Sequence, residues 1–158
     1  MATFRICAAI ALSLWVGGLS LFVGVVAPVA FHAFERQEAA RFLGVLFPAV
    51  DRWCLVWGVV AVATLFLTFL NRHFAPASLV LEIPVGIMCA LTLYVVLVLH
   101  PEIHELKRKL DLPELQGTAH QQTIQFTFNQ LHHRSVRLHG VILTLGLLSL
   151  GLTPRFLK

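Results

Sequence analysis

Four stretches of this chain hold too much hydrocarbon and too little charge to fold in water. Ile6–Phe34 contains no Asp, Glu, Lys or Arg, and Trp53–Asn71 runs uncharged between Arg52 and Arg72. Pro76–Leu99 carries one carboxylate, Glu82, followed by Pro84, and Leu138–Pro154 lies between Arg137 and Arg155. A hydrocarbon layer about 30 Å thick is crossed by roughly 20 helical residues. Inside it only a helix or a closed barrel satisfies every backbone N–H and C=O. The pattern therefore predicts an all-α integral membrane four-helix bundle, with residues 1–158 forming a single transmembrane domain. The fourth stretch is short and must borrow length from a helix that precedes it.

Composition agrees with a lipid solvent. The chain is 58% hydrophobic and 13% charged, with a mean hydropathy of +0.81, outside the usual range for soluble domains. A net charge of +4 in a soluble chain would suggest nucleic acid. Here the basic residues sit between apolar segments, where they face headgroups or set topology, and no nucleic-acid partner is expected. The first stretch exceeds the roughly 7–15-residue apolar core of a signal peptide. "VAPVAFHAF" also offers no clean small-x-small cleavage site, so the segment is expected to remain as a helix. The expected setting is a multi-pass protein of a bacterial inner membrane or its equivalent. The links after helices one and three hold eight Lys/Arg against four elsewhere, which places those links in the cytoplasm and both termini outside.

The connections differ in character. Phe42, Val45 and Leu46 stand at helical spacing among Arg36, Glu38 and Arg41, which predicts a short amphipathic turn on the membrane surface. "NRHFAPAS" makes a tight link between helices two and three. The third link, His100–Arg137, is long and reads as amphipathic helix: Ile103, Leu106 and Leu110 share one face, and Ile124, Phe128, Leu131, Ser135 and Leu138 form a stripe that runs into helix four. Small residues suited to close helix contact occur in helix one (Ser13, Gly17, Ser20, Gly24) and helix four (Gly140, Gly146, Ser149, Gly151). Cys7, Cys54 and Cys89 fall at separate depths without a C-x-x-C pair, so buried thiols are expected rather than a disulfide or thiolate site.

The histidines are the chemistry-bearing feature. Helix one ends near His32, helix two begins after Asp51, helix three ends at His100 and helix four begins near His139. An alternating bundle brings these four points to one face; His104, His120, His132 and His133 join them, and His73 belongs to the other. Pro101 predicts that His100 terminates a helix rather than forming a continuous i,i+4 pair with His104. His132 and His139 are separated by about 10 Å of helical rise, too far to share an ion. The candidate metal ligands are accordingly His32, His100, His104 and His139, with Asp51, Glu102 or Glu105 as acidic partners. Glu82, near the opposite face, is a candidate ion or proton site, with Arg72 or His73 as its expected partner.

The segments "LWVGGLSLFVGVVAPVAFHAF", "LFPAVDRW", "HPEIHEL" and "QLHHRSVRLHGVILTLGLLSLGL" together resemble the transmembrane protein 205 family, also described as the domain of unknown function DUF4149. The resemblance spans nearly the whole chain, and His32, His100 and His132 lie in its matching segments. It implies a compact four-helix membrane protein with a distant similarity to CopD-type copper-resistance proteins, and it brings no reaction. The expected function is therefore non-enzymatic handling or transport of a metal, copper being one candidate, through the histidine cluster. The rival is an accessory subunit packed against a larger membrane complex. The residues do not fix a cofactor: a transition metal is one candidate, with b-type haem a weaker alternative. No nucleophile, base and orienting group can be assembled into an active site from these residues.

Overall fold

Helix formation follows from the apolar stretches, because each must satisfy its own backbone in the absence of water. The computed structural model describes residues 2–71, 76–110, 112 and 119–157. Its elements are α1 (Ala2–Leu21), a π-turn (Phe22–Val26), α2 (Ala27–Ala33), α3 (Arg36–Asn71), α4 (Pro76–Tyr94), a second π-turn (Val95–Leu99), α5 (His100–Leu110) and α6 (Ala119–Leu157). Four runs are long and apolar enough to cross a membrane: Thr3–Ala33, Arg36–Leu70, Val80–Leu110 and His120–Pro154. The chain is a multi-pass membrane protein of the all-α class.

Around the bundle α1 packs on α3 and α6, and α4 closes the ring between α3 and α6. Burying apolar surface gains little when the surroundings are also apolar, so close packing must hold such a bundle together. Trp15, Ala11, Ala61, Val85 and Met88 are fully buried at its centre. The Trp15 ring lies flush on Gly58, where a Cβ would come within 3.0 Å of it. At Gly18 a Cβ would stand 2.7 Å from Trp53 Nε1, and the missing side chain lets that indole donate to the Leu14 carbonyl at 3.2 Å. Outward, Val23, Val56, Val59, Phe66, Ile83, Ile87, Leu97, Leu147 and Leu148 are exposed, an apolar surface that lipid covers. Several hydroxyls inside the spans donate to carbonyls one turn back, as Thr92 does to Met88 and Ser149 to Leu145, which satisfies them without water.

Two expectations about the connections are revised. Arg36–Asp51 is no separate surface turn: it is the first half of the 36-residue α3. The chain breaks instead at Phe34, which is extended at φ −121° and ψ 156°. His100 does not end a helix either, because the helical path passes from α4 through the π-turn into α5. A proline ring normally strikes the carbonyl four residues back. For Pro101 that carbonyl belongs to Leu97, the middle residue of the second π-turn, and for Pro28 it belongs to Gly24, the middle residue of the first. The wider turn rephases the carbonyl and absorbs the proline without stopping the helix. At about 1.5 Å per residue, α3 and α6 exceed the hydrocarbon layer. The surplus of both, together with α5, projects from one face. The cysteines are free thiols, but Cys7 is exposed, against the expectation of burial, while Cys54 is buried.

Replacing Gly58 with Leu should destabilise the bundle by about 1–3 kcal/mol through overpacking against Trp15. Gly17→Leu, where a new Cβ meets nothing within 4 Å, should leave it nearly unchanged. Unfolding curves of the two variants in detergent check this, and equal losses would contradict the packing described.

Candidate functional site

Three helices each bring one ionisable side chain to the place where their uncharged stretches end. Asp51 comes from the middle of α3, one turn beyond Pro48. His100 follows the second π-turn, and His139 lies just inside the apolar half of α6. The Asp51 side chain is 2% exposed, that of His139 7% and that of His100 15%. A carboxylate this deeply buried is costly unless donors meet it. His139 Nε2 lies 3.0 Å from Asp51 Oδ1, and His100 Nδ1 lies 3.1 Å from Oδ2. The second contact is out of line for a hydrogen bond, so Oδ2 is buried with no hydrogen-bond partner among the described residues.

The opposite nitrogen of His139, Nδ1, lies 2.9 Å from the Ser135 carbonyl one turn back. A carbonyl only accepts, so Nδ1 carries a proton and donates. The link between Nε2 and Oδ1 then holds a second proton, whichever of the two atoms bears it. Phe47 forms the apolar wall: its ring meets His139 edge-on at 5.3 Å and His100 at 6.2 Å. Phe22, the first residue of the first π-turn, packs edge-on against Phe47 at 4.8 Å. Leu43 and Ala30 complete this small cluster.

A family model for a domain of unknown function, DUF4149, matches residues 10–111. The chain belongs to this family. No curated protein matches it, and no solved structure does. The DUF4149 match takes in Asp51 and His100 and stops short of His139, whose helix follows it in the chain.

Of the four histidines singled out from the sequence, this DUF4149 chain brings His100 and His139 together. His104 is exposed on α5, one turn beyond His100, and lines a shallow cleft with Glu105 and Arg108. His32 is exposed at the end of α2 and borders a different cleft with Pro28, Val29 and Ala33. Neither is bonded to the triad among the described residues. His132 stacks on Phe128 at 6.2 Å instead. Of the three candidate acids, Asp51 joins the imidazoles, Glu102 is exposed and Glu105 pairs with Lys109 at 2.9 Å. Glu82 is half-buried in α4 and engaged in an interaction there; its expected partners Arg72 and His73 lie outside the described residues.

Sequence reasoning did not find Phe47 or the Ser135 carbonyl, since neither carries a ligand-like side chain. Among the described residues no three His, Cys, Asp or Glu side chains converge as a ready metal site. The Asp51 carboxylate also stands between the two imidazoles, where a haem ring would have to lie.

His139→Ala should cost about 3–5 kcal/mol, because it strands a buried carboxylate. Removing both groups, as Asp51→Ala with His139→Ala, should recover much of that loss. A double-mutant cycle on unfolding in detergent measures the difference, and additive losses would show that the two groups are not coupled.

Proposed function

We propose that this DUF4149 chain handles a divalent transition-metal cation at one membrane face, taking it up between Asp51, His100 and His139 in exchange for the proton held there. The observation that carries the reading is the buried carboxylate clasped by two imidazoles inside a membrane bundle. Ionisable groups in that environment are retained at a cost and mark functional sites by default. Two imidazoles and a carboxylate form a donor set that holds zinc or ferrous iron while leaving positions open. Fixing Nδ1 on a backbone carbonyl, as Ser135 does for His139, is the usual way a ligating histidine is oriented and its other nitrogen presented. With no thiolate converging on them among the described residues, these groups suit a divalent ion better than cuprous copper.

Uptake asks for a small rearrangement. Donors on one tetrahedral ion with bonds of about 2.0–2.1 Å lie about 3.3 Å apart. The separation of His139 Nε2 and Asp51 Oδ1 is 3.0 Å, a few tenths of an ångström less. Loss of the proton in that link leaves a nitrogen lone pair and a carboxylate facing one another, and His100 must turn its ring to join them. Each ion bound therefore displaces a proton to water.

Protein purified in mild detergent should bind about one Zn²⁺ or Fe²⁺ per chain, with protons released on loading and affinity falling as the pH is lowered. Asp51→Asn and His139→Ala should abolish binding. Elemental analysis and a pH-indicator titration read these outcomes. A folded protein that takes up neither ion at any pH would overturn the proposal. If that protein also co-purified stably with a larger membrane complex, the accessory-subunit reading would replace it.

A further inference from the structure

The polar groups around the site form a graded series. On α5, His104 follows His100 by four residues, about 6 Å of rise on nearly the same face of the helix. The helix is unbroken between them. Exposure falls in order along the series: His104 is exposed, and the side chains of His100, His139 and Asp51 are 15%, 7% and 2% exposed. His100 is thus the edge of the triad nearest the surface, and its contact with Asp51 is the looser of the two, lacking hydrogen-bond alignment. His139, by contrast, is held at both nitrogens. The cleft bordered by His104, Glu105 and Arg108 is lined by polar side chains of α5, beyond the uncharged stretch that ends at Leu99.

We propose that His104 is the capture ligand of the site: an arriving divalent transition-metal cation binds its imidazole first and passes to His100 before settling on Asp51 and His139. The inference rests on the metal reading above and adds the direction of access. Transfer is a ligand exchange, in which the bond to the His104 nitrogen breaks as the bond to the His100 nitrogen forms and the proton leaves the Asp51–His139 link for water. His32 offers no such route. It borders a separate cleft on α2, and no run of one helix connects it to the triad. Because His104 lies outside the final ligand set, its loss changes how fast the site fills and empties but not how tightly it holds.

The test is stopped-flow transfer of Zn²⁺ between a chromophoric chelator and the full-length protein in detergent. His104→Gln should slow loading and unloading by the same several-fold factor, leaving Kd and stoichiometry at wild-type values. His104→Asp, which restores a ligand, should recover part of the rate. Unchanged rates in His104→Gln would overturn the proposal. A lost or weakened equilibrium site would overturn it too, by making His104 a member of the site itself. Failure of the wild-type protein to bind Zn²⁺ would sink the underlying metal reading, and this inference with it.

Discussion

The buried carboxylate of Asp51 is the constraint around which the polar end of this bundle is organised. A carboxyl group 2% exposed and within reach of two imidazoles has lost its water, so the protein must supply polar partners at fixed positions. It draws them from two other helices, and so ties α3 to α6 directly and to the start of α5. In a membrane, where apolar contact discriminates little between neighbours, such a link also sets the register of the helices it joins. The ring of Phe47, backed by Phe22, covers the edges of both imidazoles, and an apolar wall of this kind strengthens polar contacts beside it.

The two proline-linked π-turns serve that link from either side. In an α-helix one residue more or less rotates everything beyond it by about 100°. The wide turn at Val95–Leu99 therefore decides where His100 points, and Pro101 follows it without breaking the path into α5. The turn at Phe22–Val26 begins with the residue that buttresses Phe47. Single π-turns within longer helices are common at functional sites. Here one leads into a member of the triad and the other begins with the residue that supports its wall.

Much of the fold was legible because its cause is local. An uncharged run of sufficient length must be a helix in lipid, and alternation of four such runs carries the ends of Ile6–Phe34, Trp53–Asn71, Pro76–Leu99 and Leu138–Pro154 to predictable sides. That reasoning placed His100, His139 and Asp51 on one face but gave no means of separating them from His32 and His104. The distinction depends on rotation about each helix axis. The π-turn before His100 sets that rotation, yet the residues Val-Val-Leu-Val-Leu carry no signal of it. The same turn carries the helix past Pro101, a residue whose type alone signals a stop. Asp51 had a subtler mark, as a lone acid at the border of an apolar run, but only the packed bundle separates it from Glu102 and Glu105. Phe47 and the Ser135 carbonyl could not be found from residue type, because their contribution is position alone.

The account stands or falls on whether both imidazoles share the Asp51 carboxylate in a lipid bilayer. Solid-state NMR of the protein in bilayers, with ¹³C in the Asp51 carboxyl and ¹⁵N in the histidine rings, measures this directly. Short-range dipolar couplings from that carbon to His139 Nε2 and to His100 Nδ1 are the predicted result, with the His139 Nδ1 resonance that of a protonated nitrogen and the couplings absent in Asp51→Ala. A carboxyl carbon coupled to neither ring, with His100 and His139 exchanging freely with water, would contradict the central claim.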